Sequence, residues 1–167
     1  MVTKYKVAVL GCGAIFGRHL QAIKNNSEYF ELVGIFDIDG EKLSKITQEL
    51  GVKAYSSEEE VYKDTAINCV AIITPSNLHY EQMVKAVTSK KNVIVEKPAT
   101  FLAEELKHIN QLAIATGVDV FTILQVRLNP SLVATREFIL GGAFGEIRNV
   151  ALVQRWQRPL EYFTGWR

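Results

Sequence analysis

Five short apolar runs constrain this chain more than any other feature. KVAVLG, ELVGIFD, CVAIIT, NVIV and VDVFTIL all fall within the first 124 residues, and stretches of helical periodicity separate them. The runs are nearly continuous rather than alternating, which is the pattern of strands covered on both faces. Strands of this kind interleaved with helices form a parallel sheet with right-handed crossovers. The expected class is therefore α/β, a doubly wound parallel sheet over residues 1–124.

Local signals place the elements. Strands are expected at residues 5–10, 31–37, 54–56, 69–74, 92–95 and 118–124, and helices at 15–26, 40–50, 77–90 and 102–116. Leu43, Ile46 and Leu50 share one face of the second helix, and Gly51 is its natural stop. Ser57 offers an N-cap, with Glu58, Glu59 and Glu60 in a first turn where the helix dipole favours carboxylates. Tyr80, Val84 and Val87 read as the inner stripe of one later helix, and Leu102, Leu106, Ile109 and Ala113 as that of the next.

Composition excludes some functions. The net charge of +1 leaves no electrostatic footprint for nucleic acid. No apolar run approaches the roughly 18 residues of a membrane span. The N-terminus runs straight into a strand without a signal-peptide pattern. A cytoplasmic location is expected, with neither nucleic acid nor membrane as partner. Cys12 and Cys69 fall outside metal-ligand spacing and read as free thiols, so no metal is expected.

The first strand runs into GCGAIFGRH, which places Gly11 and Gly13 between a strand and a helix. Gly11 permits the tight turn, and Gly13 lets the backbone approach a pyrophosphate at the helix N-terminus. Phe16 occupies the place of the third small residue and Gly17 comes one later, which puts close helix–strand packing in question. Asp37 ends the second strand about 20 residues beyond the loop, where its carboxylate can accept from both ribose hydroxyls. The same charge repels a 2′-phosphate, so NAD is expected as cofactor rather than NADP. Cys12, inside the loop, reads as a small packed side chain.

Ligands of open parallel sheets bind at the carboxyl ends of the strands. Thr74, Pro75 and Asn77 end one strand in TPSNLH, and Glu96 and Lys97 end the next in EKPAT. A lysine there can hydrogen-bond a substrate hydroxyl and stabilise the developing alkoxide, or relay its proton. Glu96 is a candidate for orienting Lys97, and Pro98 for fixing the turn. A surface salt bridge at a strand end is the plainer alternative. His79 can serve either by holding the loop or in chemistry.

After residue 124 the rhythm changes. Residues 131–140 read as a helix, and GEIRNVALVQRW as a partly alternating strand. About 40 residues are too few for an independent core. Residues 125–167 are therefore expected to begin a second, incomplete α+β domain, with apolar side chains of residues 150–156 exposed.

GCGAIFGRH, TPSNLHYE and EKPAT, in this order and spacing, resemble the glucose–fructose oxidoreductase, inositol dehydrogenase and rhizopine-catabolism (Gfo/Idh/MocA) family. QVRLNPSLVATREFI, GEIRNV and RWQRPLEYFTGWR further resemble its subgroup that oxidises UDP-linked N-acetylglucosaminuronate at C3. The resemblance implies a Rossmann domain and a catalytic Lys97 beside the nicotinamide. It implies cofactor contacts from Gly11, Gly13, Ala14, Ile15 and Asp37, and from Thr74, Pro75, Asn77, His79, Glu96 and Lys97. Gln125 and Arg127 would lie near nicotinamide and substrate. Asn129, Arg155, Trp156, Arg158, Tyr162 and Trp166 would lie at or near a sugar-nucleotide pocket, although the aromatic residues serve equally well as core.

Members of that family are about twice as long, and they form homo-oligomers through a second domain that also carries a histidine assisting proton transfer. None of His19, His79 and His108 sits in such a context. The expected function is NAD-dependent oxidation of a secondary alcohol on a sugar or nucleotide-sugar, possible in lipopolysaccharide biosynthesis. The alternatives are a non-catalytic NAD(P)-binding module and the cofactor-binding fragment of a cyclitol or sugar dehydrogenase.

Overall fold

A computed structural model of the chain describes residues 4–160. It forms two units, Met1–Ile123 and a second beginning at Leu124. The first unit alternates strand and helix throughout. Its strands are β1 (Tyr5–Leu10), β2 (Phe30–Phe36), β3 (Lys53–Ala54), β4 (Cys69–Ile72), β5 (Asn92–Val95) and β6 (Val120–Thr122). Its helices are α1 (Phe16–Asn25), α2 (Gly40–Leu50), α3 (Glu58–Lys63), α4 (His79–Thr88) and α5 (Ala103–Thr116).

The strands form one six-stranded sheet in the order β3-β2-β1-β4-β5-β6, with every pairing parallel. This is the doubly wound architecture expected from the sequence. The chain moves outward from β1 through β2 to β3, then returns to lay β4 on the other side of β1. That reversal opens a crevice at the carboxyl ends of β1 and β4. Register aligns those ends: Leu10 pairs with Phe36 and with Ile72, and Ile72 with Val95. Whatever follows these four residues must gather along one edge.

Successive strand side chains point to opposite faces. Ala8, Leu10, Val70 and Ile72 bury on one face with Met83, Ala86 and Val87 of α4 and Ile109 of α5. Val7, Val9, Cys69 and Ala71 bury on the other with Phe16 of α1 and Leu43 of α2. Both faces are thus covered at the centre of the sheet. Coverage fails at its edge, where Phe121 of β6 is exposed. Phe16 settles the packing question raised by the loop. It is buried in the second cluster, while a Cβ on Gly17 would meet nothing, so an inward aromatic replaces the usual small residue.

Two stripes differ from expectation. In α4 the buried positions are His79, Gln82, Met83, Ala86 and Val87, with Tyr80 and Val84 at the flank. The periodicity misleads because His79 and Gln82 are polar yet fully hydrogen-bonded, which lets them face inward. In α5 only Ile109 is buried, whereas Leu102 and Leu106 are exposed. They continue the stripe of Ile109, but among the described residues nothing covers the start of this helix.

The second unit holds a short 3-10 turn, Gln125–Leu128, and α6 (Pro130–Leu140). Asn129 caps α6, its side-chain oxygen accepting from the Ser131 amide at 3.0 Å. The strand expected within GEIRNVALVQRW is absent among the described residues. Among the described residues this segment finds no ladder partner, and an unpaired strand is not stable in water. Val150, Leu152, Val153 and Trp156 are exposed, as expected.

Candidate active site

The residues after β1, β2, β4 and β5 converge at the crevice. Gly11 closes β1 with φ +95°, and its amide donates to the Phe36 carbonyl at 2.8 Å. A Cβ here would stand 3.2 Å from the Ile73 carbonyl oxygen and from two atoms of Thr74. Gly11 is therefore required for both conformation and space. A Cβ on Gly13, by contrast, would meet nothing within 4 Å. Gly13 and Ala14 are exposed, and Ile15 precedes the first turn of α1.

The N-terminus of α1 differs from its neighbours. Asp39 caps α2 by accepting from the Lys42 amide, and Ser57 caps α3 by accepting from the Glu60 amide. At α1 no side chain caps the helix, and its first turn contains no acid. The Phe16 and Arg18 amides donate to the Gly13 and Ile15 carbonyls at 3.0 Å, and the positive end of the dipole, behind a glycine loop with open space, fits a phosphate anion.

Asp37 follows β2. One carboxylate oxygen accepts from the Cys12 amide in the glycine loop, and the other from the Asp39 amide at 2.9 Å. The carboxylate thus fastens the loop to β2 while remaining at the crevice, with the Lys42 ammonium 3.9 Å away. An open cleft of about 360 Å³ lies beside it, lined by Phe36, Ile38, Leu78, Glu58 and Gln82 among others. Ile38 is 94% exposed, an isoleucine side chain held in solvent at the mouth of this cleft. Phe36, Ile38 and Leu78 give this otherwise polar cleft an apolar side on which a flat heterocycle can lie. These features together fit a dinucleotide with an unphosphorylated ribose.

After β4, the Thr74 hydroxyl donates to Gln82 Oε1, and Gln82 Nε2 donates to Glu58. The Pro75 carbonyl accepts from the Leu78 amide at 2.9 Å, and Asn77 lies exposed in the 3-10 turn Ser76–Leu78. His79 is fully buried. Its Nδ1 is 2.8 Å from the Pro98 carbonyl and its Nε2 2.9 Å from the Thr74 carbonyl. Each ring nitrogen thus faces a main-chain acceptor, and the tautomer decides which of the two receives the single N–H of a neutral imidazole.

After β5 comes the pair that sequence singled out. Glu96 is nearly buried, with Oε1 2.9 Å from His19 Nε2 and Oε2 accepting from the Lys97 amide at 3.2 Å. Its carboxylate touches the backbone of Lys97 and not its ammonium. The Lys97 side chain is exposed and, among the described residues, makes no ion pair. The Lys97–Pro98 peptide is cis.

The thiol of Cys12 is pushed up to about 11, first by burial and then by the Asp37 charge, and burial raises Cys69 to about 12. Both stay protonated and unreactive near neutral pH. Among the described residues no group of side chains could hold a metal ion, and no helix is long and apolar enough to cross a membrane.

Gln125, Arg127, Asn129, Arg155, Trp156 and Arg158 belong to the second unit. Within it, the Arg158 guanidinium lies 4.3 Å over the Trp156 ring, and the Asn129 oxygen is taken up in capping α6. Tyr162 and Trp166 lie outside the described residues. Sequence reasoning missed His19 and Gln82. Periodicity gives no sign of them, because Glu96 is 77 residues from His19 and Glu58 is 24 from Gln82.

A glycine loop at an uncapped helix, an acid ending the second strand and a cleft beside it define an NAD-binding Rossmann domain. The chain belongs to the Gfo/Idh/MocA oxidoreductases: residues 5–123 match the model of that oxidoreductase family with its NAD-binding Rossmann fold. It is 29% identical over 147 residues to scyllo-inositol 2-dehydrogenase (NAD(+)) of Bacillus subtilis, covering 87% of this chain and 43% of that one. Among solved structures, it resembles the WlbA dehydrogenase of Bordetella pertussis in complex with NADH and UDP-GlcNAcA. The TM-score is 0.81 and the identity 29%, over 86% of this chain and 44% of that one. The Chromobacterium enzyme of the same name and ligands gives a TM-score of 0.80 at 26% identity, over 85% and 41%. The chain spans less than half the length of these relatives. The cofactor is NAD.

Proposed function

We propose that the chain carries the cofactor site and the catalytic lysine of a dehydrogenase acting on a secondary alcohol of a sugar or nucleotide-sugar. The observation that carries this reading is Lys97, an exposed ammonium without an ion-pair partner among the described residues, at the end of β5. Gly11, Gly13, Ala14 and Ile15 seat the pyrophosphate at α1, and Asp37 accepts from the ribose hydroxyls. The cleft of Ile38 and Leu78 takes the adenine. Thr74, Pro75, Asn77 and Glu96 frame the nicotinamide side, with the fully buried His79 holding the Thr74 and Pro98 carbonyls behind them. Bound NAD supplies the hydride acceptor. Lys97 gives one proton to solvent, takes the substrate hydroxyl proton on the amine so formed as the hydride leaves, and steadies the oxygen with the ammonium that results.

The family resemblance assigns Gln125 and Arg127 a role toward nicotinamide and substrate, and Asn129, Arg155, Trp156, Arg158, Tyr162 and Trp166 a role toward the sugar nucleotide, as roles and not as positions. The resemblance to the WlbA enzymes, solved with NADH and UDP-GlcNAcA, supports UDP-N-acetylglucosaminuronate as substrate; oxidation at C3 for a surface polysaccharide, in a cytoplasmic homo-oligomer, extends the same proposal from the family resemblance of the sequence. Calorimetric titration with NAD and NADP tests the cofactor assignment, and UDP-N-acetylglucosaminuronate added to the NAD-loaded protein tests the substrate. NAD binding, sugar binding and NADH formation support the whole reading. NAD binding without either of the others reduces it to a cofactor module, and preference for NADP overturns the role of Asp37. Asp37→Ala weakens NAD about tenfold, the scale of one charge-assisted hydrogen bond.

A further inference from the structure

Among the described residues Lys97 is unpaired at its tip, yet the residues on either side of it are both fastened by histidines. Glu96, just before it, is the obvious partner for its ammonium. The structure commits that carboxylate elsewhere, one oxygen to His19 at 2.9 Å and the other to the Lys97 amide at 3.2 Å. Pro98, just after it, presents its carbonyl to His79 at 2.8 Å, and His79 reaches back to the Thr74 carbonyl at 2.9 Å. The two histidines come from different places. His19 belongs to α1, which the glycine loop opens, and His79 is the first residue of α4, just beyond the end of β4.

Both contacts lie in poorly hydrated surroundings. His79 is fully buried, and the His19 and Glu96 side chains are only 13% and 12% exposed. Hydrogen bonds screened from water in this way hold geometry better than exposed ones. His19 also has a second consequence. While it occupies Glu96, the carboxylate cannot turn to Lys97 and neutralise the ammonium.

We propose that His19 and His79 are positioning residues that bracket Lys97, tying its backbone to the two elements that receive the dinucleotide and keeping Glu96 from pairing with its ammonium. The catalytic part of this proposal rests on the role given to Lys97 above; the bracket itself does not. It makes the lysine's placement depend on α1 and on the β4 end, so the seat of the cofactor and the position of the catalytic group are set by one network.

The test compares His19→Leu, which removes the bond, with His19→Gln, whose amide nitrogen can replace Nε2. Amide hydrogen exchange over residues 93–102 is read with and without NAD, together with kcat and KM for sugar-dependent NADH formation. His19→Leu is expected to speed exchange in that segment about tenfold while β1 and β4 stay protected. It lowers kcat with little change in KM, and His19→Gln restores both readouts. The proposal is overturned by unchanged exchange in His19→Leu, by equal defects in the Leu and Gln variants, or by loss of protection throughout the sheet. Altered exchange with wild-type kcat also overturns it. If the unmodified protein forms no NADH with any sugar, the dehydrogenase reading fails, and exchange alone still decides the bracket. Should His19→Leu not fold, His79→Gln, which removes the ring that faces the Pro98 and Thr74 carbonyls but keeps an amide donor, is read in the same way.

Discussion

β5 carries a lysine at each end, and the two have opposite fates. Lys91, just before the strand, is buried, and its ammonium donates to the Asp64 carbonyl at 2.7 Å and the Ile67 carbonyl at 2.8 Å. Burial lowers its pKa, and the main-chain bonds keep the charge satisfied. Lys97, just past the other end, is exposed, and among the described residues its side chain has no ion-pair partner. The residue type and the strand are the same. What differs is where the hydrogen bonds go: at the amino end two main-chain carbonyls receive the ammonium, and at the carboxyl end none is made among the described residues. A polar group wholly satisfied by its own chain stabilises the fold, whereas one held in place but left unpaired is ready for a ligand.

The comparison can be broken most directly at Lys97. Lys97→Ala should reduce turnover about 100- to 10,000-fold, the usual worth of a positioned acid–base group. Thermal stability should stay near that of the unmodified protein. Full turnover in Lys97→Ala would remove the lysine from the chemistry. A large fall in melting temperature would make it a structural group like Lys91.

The reciprocal change is Lys91→Met. It keeps most of the packing but strips two buried carbonyls of their donor, and should cost about 2–4 kcal/mol in urea unfolding. The site at the far end of the sheet should bind NAD as before. A neutral effect on stability would mean that Lys91 is no more structural than Lys97, and the contrast would fail.

Much of this was legible beforehand because it is local. Continuous apolar runs announced a parallel sheet, and glycines, Asp37 and Lys97 fall where strands end. Pairing register then brings those ends together without further information. What escaped depends on distant partners. His19 gains its meaning only through Glu96, and Gln82 turns inward only because Thr74 and Glu58 satisfy it. The strand expected within GEIRNVALVQRW needed a neighbour to pair with, which periodicity cannot guarantee.

The glycine loop repeats the contrast on a smaller scale. Gly11 serves the fold, with φ +95° and neighbours at 3.2 Å, whereas Gly13 faces open space. Gly11→Ala should therefore destabilise the protein by about 1–3 kcal/mol. Gly13→Val should leave unfolding unchanged but weaken NAD about tenfold or more by filling the space needed for the pyrophosphate. Paired urea unfolding and calorimetry separate the two effects. If both variants lose stability and neither loses affinity selectively, the open space at Gly13 is not a binding feature.

The smallest effect expected is at the closed end, where Asp64 holds several bonds at once. Its carbonyl receives Lys91, while its carboxylate receives Lys53 at 2.9 Å, the Ala66 amide at 2.9 Å and the Tyr55 hydroxyl at 2.9 Å. Lys53 first, then the Ala66 amide and Tyr55, lower its pKa from 3.8 to about 2. A carboxylate whose folded value is depressed contributes stability that is fully present above its unfolded value and lost as pH falls through the folded one. The window here is from about pH 4 down to about pH 2. Asp64→Asn keeps the carbonyl bond to Lys91 but removes the titration, so its stability should fall less steeply than wild type across that window. Urea midpoints measured at several pH values in both proteins give the difference. Identical slopes would mean that the amino-end network draws its strength from the main-chain bonds to Lys91 alone, and the closed end would then rest on a single lysine.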